Sequence, residues 1–342
     1  MPMSCARRAC SVKDSPRPAI FWVAMPPILT YGENTYQWLG LKMRTIDDAA
    51  KLLGRWDSPQ GRARYMDAYA RAFASLPQPA ETLDIRTDFG SVRCYRFAGA
   101  GSGPHPLLLL PGKSSGTPIW ADNMPSLLEL GDVYAVDLLG EPGMSVQDRP
   151  ITDAADQATW LAQTMQALPE EAFHLAGISF GGWSAANLVL HDAGKVATLT
   201  LIDAALTLAN LPVRMIMHSL PATVRWFPKS WRDGFNSYMA GGAPVADLPV
   251  AEMIEAGMKH FILRLPQLKL IPEAELRRIT VPTLVIIGGD SAIHDARQAA
   301  ATARRSFPNA IVHVYEGASH AVNGEQPERI ANDIAALIGA NR

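Results

Sequence analysis

The sequence predicts an α/β fold: a mostly parallel, doubly wound sheet with a helical segment inserted after the sixth strand. Three observations lead there. Apolar runs of strand length alternate with helical stretches between residues 82 and 202, and again between 283 and 338. From residue 106 onward these runs are continuous rather than alternating with polar residues, as expected of strands covered on both faces. The alternation breaks once, after Asp203, in a stretch rich in large apolar side chains that resumes as a strand at Thr283.

The chain has 342 residues, enough for one large domain or one domain with a sub-domain. A hydrophobic fraction of 48% and a charged fraction of 19% supply an ordinary core and exclude wholesale disorder. Lys plus Arg total 31 against 33 for Asp plus Glu. That near-balance argues against nucleic acid as a partner, since phosphate binding needs clustered excess cation. Cys5, Cys10 and Cys94 make no disulfide framework and no zinc-type spacing, so neither metal nor cofactor is expected and a cytoplasmic location fits. The apolar run Ala19–Met25 follows Arg7-Arg8 and stops at Pro26-Pro27. It is too short for a bilayer span, which needs about 20 residues, and it lacks the small-residue cleavage site of an export signal. No membrane partner is expected. Oligomeric state is not legible.

Residues 1–44 carry no sustained period and read as an N-terminal extension. The core is expected at 45–203 and 279–342, and a helical cap at 204–278. Ile46, Ala49, Ala50, Leu52 and Leu53 share one helical stripe, and Tyr65, Ala68, Tyr69, Ala72 and Phe73 another. Strands follow at 82–86 and 91–97, parted by the turn signal Asp88-Phe89-Gly90. Then come strand 106–110, helix 120–130, strand 133–136, helix 154–168, strand 172–176, helix 183–191 and strand 198–202. In the insert stand Met215, Met217, Trp226, Phe227, Trp231, Phe235, Met239, Met253, Met258 and Phe261, a set suited to lining an apolar pocket. Strand 283–287, helix 295–306, strand 311–315 and helix 327–338 complete the chain.

The strongest chemical signal is Gly177-Ile178-Ser179-Phe180-Gly181-Gly182, between a strand and a helix. A serine on so sharp a turn has a strained backbone and needs small neighbours, which the glycines at minus two and plus two supply. Its hydroxyl then stands above the carboxyl edge of the sheet, beside helix N–H groups able to hold a developing oxyanion. A hydroxyl becomes a nucleophile only when a base takes its proton. His320, in Gly317-Ala318-Ser319-His320-Ala321, follows a strand, where parallel sheets present functional groups. His174 and His191 read as structural, and His260 as a possible substrate contact within the insert.

Over roughly residues 80–340 the order of motifs resembles the α/β-hydrolase superfamily, in particular its serine-nucleophile, carboxylesterase-like members. The resemblance implies that Ser179 attacks, that His320 is the base, and that backbone N–H groups of Lys113 and Phe180 form the oxyanion hole. Pro111-Gly112-Lys113 stands where the family usually has His-Gly-X. Asp137-Leu-Leu-Gly140-Glu-Pro-Gly143-Met-Ser145 is similar to a structural loop of the family, one residue longer. The family's acid usually follows the seventh strand, as Gly-X-X-Asp; here Gly288-Gly289-Asp290-Ser291 puts a serine there. Three carboxylates can replace it: Asp290, one residue early; Asp203, at the end of the sixth strand; and Asp295, whose simpler role is a helix N-cap. A Ser–His dyad is the fourth arrangement. The function implied is hydrolysis of an ester or related acyl bond of an apolar small molecule through an acyl-enzyme. The alternative is a non-hydrolytic or slow member of the fold, such as a C–C bond hydrolase, acyltransferase, lyase or small-molecule binding protein.

Overall fold

The structure, a computed structural model, describes residues 52–101, 103–223, 228–245 and 247–341. The extension at 1–44, Cys5 and Cys10, most of the first expected helix, and Trp226 and Phe227 lie outside the described residues. Leu52 and Leu53, the end of that expected helix, lie in a turn.

The core is one nine-stranded sheet. Its strands are β2 (Glu81–Thr87), β3 (Gly90–Phe97), β4 (Leu107–Leu110), β5 (Val133–Val136), β6 (Val146–Gln147), β7 (Phe173–Ile178), β8 (Val196–Ile202), β10 (Thr283–Gly288) and β11 (Ala310–Tyr315). They run in the order β11-β10-β8-β7-β4-β5-β3-β2, with β6 paired to β3. From β5 to β11 all neighbours are parallel; the β2–β3 hairpin joins antiparallel through β3. At the hairpin, Gly90 has φ 145, and a Cβ there would lie 2.1 Å from the Val146 carbonyl oxygen, so only glycine fits.

Why the apolar runs are continuous is plain in β4. Leu107 and Leu109 enter the core on one face of the sheet, with Trp120, Met124, Ile334 and Leu337. Leu108 and Leu110 enter the other, with Trp160, Leu161, Phe173 and Leu199. Each fully buried leucine contributes about 1.5–3 kcal/mol. The covering helices are α2 (Met124–Leu128) and α11 (Pro327–Ala340) on the first face, and α3 (Ala154–Ala167), α4 (Phe180–His191) and α9 (Ala296–Ser306) on the second. Asp153 and Asp295 cap α3 and α9 by accepting from the N–H groups of Asp156 and Gln298.

The stretch expected as one helix over 120–130 is instead a 3₁₀ turn, Thr117–Trp120, followed by the short α2. Pro125 restarts the helix there, and the buried Asn123 side chain donates to the Asn323 carbonyl rather than facing solvent.

The insert carries α5 (Val213–Thr223), α6 (Lys229–Met239), α7 (Pro249–His260) and β9 (Phe261–Ile262), ahead of a short α8 (Glu273–Leu276). Two elements from before the sheet join it. β1 (Arg55–Trp56) pairs antiparallel with β9. The helix α1 (Pro59–Phe73), capped by Ser58, packs on α7 through Tyr65, Ala68, Tyr69, Ala72, Met253 and Ala256. Residues 55–73, grouped with the core by their sequence pattern, thus lie against the insert. A buried ion pair, Arg232 to Glu255 at 2.6 Å, ties α6 to α7.

Candidate active site

At the carboxyl edge of the sheet, β7 ends at Ile178 and α4 begins at Phe180, leaving Ser179 on the turn with φ 53 and ψ −116. A non-glycine residue at positive φ is strained by about 1–3 kcal/mol and persists only where its surroundings hold it. Here the Ser179 N–H donates to the Ile202 carbonyl, and its own carbonyl accepts from Trp183 and Ala205. The glycines are there because the chain is crowded. A Cβ at Gly177 would sit 2.3 Å from the Gly181 carbonyl, and one at Gly181 would sit 2.2 Å from that of Leu110.

His320 reaches this turn from the loop after β11. Its Nε2 is 3.0 Å from Ser179 Oγ, and its Nδ1 is 2.6 Å from Asp203 Oδ2. An ionised carboxylate only accepts, so Nδ1 carries the proton and Nε2 is left to receive the serine's.

Of the carboxylates the sequence offers, Asp203 is in contact with the histidine. It follows β8, is fully buried, and has φ 41. Asp290 is not brought there. Its side chain is exposed, and its backbone N–H is bonded to the Ala318 carbonyl. Asp295 is occupied as the α9 cap. Ser291, where the usual acid would stand, points its hydroxyl at Asp203 Oδ2 at 2.7 Å. Asp203 Oδ1 accepts from the Gly288 N–H and from His294 Nε2, both at 2.9 Å. Burial alone would raise the Asp203 pKa, but the imidazoles of His294 and His320 outweigh it and hold the carboxyl well below its usual range.

Lys113 and Phe180 flank the serine. Phe180 is the first residue of α4, where N–H groups lack intrahelical partners. Lys113 lies in the turn after β4, and a Cβ on its neighbour Gly112 would lie 3.5 Å from Ser179 Cβ. The lysine side chain is exposed. The next residue, Ser114, has φ 59 and donates its N–H to Glu141 Oε2 at 2.9 Å. Burial pushes the Glu141 carboxyl up to about 7, against the pull of the Lys113 charge and the Ser114 bonds.

Asp137 is buried and accepts from the Thr117 N–H and hydroxyl, the Tyr69 hydroxyl and the Met144 N–H, which makes its loop a scaffold. His174 and His191 are bonded to Thr198 and the Asn187 carbonyl. His260 faces Asp57 at 3.1 Å, beside the β1–β9 pair. Among the described residues no cluster suits a metal ion. Sequence reasoning missed His294 and Glu141. His294 has no motif around it, and Glu141 lies inside the loop at 137–145, whose motif gives that position no role; only the folded loops reveal what each faces.

A strained serine between a parallel strand and a helix, with a histidine and a buried carboxylate behind it, defines the class of nucleophile-elbow α/β enzymes. The profile of the alpha/beta hydrolase family matches residues 107–333. The chain belongs to that family and is a carboxylesterase-like hydrolase. It is similar to the uncharacterized carboxylesterase nap of Bacillus subtilis, 25% identical over 293 residues, which are 82% of this chain and 95% of that one. It is also similar to the carboxylesterase YbfK of the same organism, 23% identical, over 80% of this chain and 93% of YbfK. The crystal structure of YbfK shares the fold, with a TM-score of 0.75 at 21% identity, covering 83% of this chain and all of that one. Among the described residues no helix is long and apolar enough to cross a membrane.

Proposed function

We propose that the protein is a serine carboxylesterase that hydrolyses esters of apolar small molecules through an acyl-enzyme. Ser179 Oγ attacks the ester carbonyl as its proton passes to His320 Nε2. The N–H groups of Lys113 and Phe180 hold the tetrahedral oxyanion. The imidazolium, steadied by Asp203, gives its proton to the departing alcohol. Water, deprotonated by His320, then attacks the acyl-enzyme; the acid leaves and Ser179 recovers its proton.

The observation that carries this reading is the unbroken chain Ser179–His320–Asp203, with contacts of 3.0 and 2.6 Å. Both contacts are short enough for proton transfer and charge-assisted hydrogen bonding. Carboxylesterases among the relatives support the ester as substrate. The apolar composition of the insert, read from the sequence, is what supports a preference for longer or aromatic acyl groups over acetate; Met253 packs against α1, and Met217 and Trp231 are exposed. A slow binding protein is the alternative, and a buried carboxylate on His320 speaks against it. A cytoplasmic location belongs to this proposal, and cell fractionation checks it.

Fluorophosphonate labelling and p-nitrophenyl ester turnover test the reading. Both should vanish in Ser179→Ala and His320→Ala. Asp203→Asn should lose about 10³–10⁴ in kcat, whereas Asp290→Asn should stay within about twofold of the parent. Equal small losses in the two aspartate variants would refute the assignment. Acetate outperforming longer acyl esters would refute the apolar pocket.

A further inference from the structure

The Asp203 carboxylate has two histidines, and the proposed mechanism uses one. His294 is buried, with 1% of its side chain exposed, and its Nε2 lies 2.9 Å from Asp203 Oδ1, the oxygen turned away from His320. It rides on the loop after β10, six residues beyond Gly288, whose own N–H donates to the same oxygen. With Ser291 and His320 on Oδ2, four donors fill the lone pairs of one carboxylate. Since Asp203 is an acceptor, the Nε2 of His294 bears its proton.

We infer that His294 is a positioning residue that tunes the basicity of His320 through their shared carboxylate; this rests on the Ser179–His320–Asp203 reading. Asp203 leaves the sheet from β8, at φ 41, rather than from the loop after β10. That loop therefore cannot supply the acid, and instead supplies donors that clasp it. Every hydrogen bond given to Oδ1 draws charge from the carboxylate and leaves less to stabilise an imidazolium at His320. His294 thereby keeps His320 a free base to lower pH. The sign is the same whether His294 is neutral or cationic, since a positive charge beside Asp203 also disfavours a second one at His320. Among the described residues, His294 is hydrogen-bonded to Asp203 from the end of β8, which also holds His320 from the loop after β11; Asp290 and Asp295 of its own loop are exposed.

The test is the acid limb of the kcat/KM profile for a p-nitrophenyl ester. In His294→Ala the limb should move up by about 0.5–1 pH unit, with kcat lowered and KM little changed. His294→Gln, whose amide N–H can reach Oδ1, should return the limb toward the parent. His294→Asn, one methylene shorter, should not, and it carries the test if the alanine variant fails to fold. A limb in His294→Asn that coincides with the parent's overturns the inference, as would a drop in kcat in His294→Asn or His294→Ala without any shift. If Ser179→Ala keeps full turnover, the triad reading itself has failed; if that variant is dead and the limbs are unmoved, only the role of His294 has.

Discussion

Glu141 shows how much one buried carboxylate can govern. Its Oε2 accepts the N–H of Ser114, at positive φ beside Lys113, so it braces the turn proposed to hold the oxyanion. Its pKa is raised to about 7, chiefly by burial. Between an ordinary carboxylate pKa near 4.5 and that value, the folded protein holds a proton that the unfolded chain has lost. Stability from this residue is therefore full below about pH 4.5 and falls as pH rises to about 7, by roughly 3 kcal/mol in all. Glu141→Gln keeps an oxygen for Ser114 and removes the titration. Urea unfolding at pH 4.5 and 7.5 should show the variant gaining on the parent at the higher pH, and a gap independent of pH would contradict this. Asp203 has the opposite sign. Its carboxyl is depressed by His294 and His320, so its contribution is present above the unfolded carboxylate range and is lost as pH falls below about 4. Neither environment was legible in the sequence. Ser179 and His320 announce themselves through neighbours of fixed spacing. The carboxylate that meets His320 is set by which of two loop ends folds inward, and choosing Asp203 over Asp290 needs the register of β8 on β10.

Among elements, the elbow was the most legible, because steric crowding demands glycine at particular offsets from the serine. A Cβ at Gly181 would meet two carbonyl oxygens, those of Leu110 at 2.2 Å and Pro111 at 2.5 Å, and backbone cannot yield as a side-chain tip can. Gly181→Ala should push α4 away from the end of β4 and cost about 10² or more in kcat/KM, since misplacing a reacting group by 1 Å costs that much. Gly339→Ala, in α11 with nothing within 4 Å of its Cβ, should keep the parent's rate and gain about 0.5–1 kcal/mol of stability by helix propensity. Rates and thermal midpoints of the pair would check both, and a Gly181→Ala variant at parental rate would sink the crowding argument. The buried strands were equally readable, as Leu107–Leu110 shows with its four leucines feeding two faces. The two-residue strands β1, β6 and β9 were not, since Arg55-Trp56 or Phe261-Ile262 has no length over which a period can declare itself.

At the scale of the whole molecule, α1 joins the parts. Tyr65 and Tyr69 pack against Met253 of the insert. Their hydroxyls turn the other way, to the Pro142 carbonyl and to Asp137 in the scaffold loop of the core. Met253 is fully buried, and Met253→Ala should cost about 2–5 kcal/mol through lost contacts and the cavity left behind. Because the same tyrosines serve both parts, urea unfolding of this variant should remain one transition, moved as a whole. Two separated steps, with only the first displaced, would mean that the insert folds on its own.

The pairing of β1 with β9 also sets an order of events during synthesis. Arg55 finds its partner at Ile262, so the first strand leaves the ribosome long before its mate exists. At roughly 5–20 residues per second, it waits on the order of ten to forty seconds. The serine turn appears only when residue 179 is made, partway through that interval, and the second strand of the ribbon and His320 come later still, so on the proposed mechanism the nascent chain gains activity only once residue 320 has emerged.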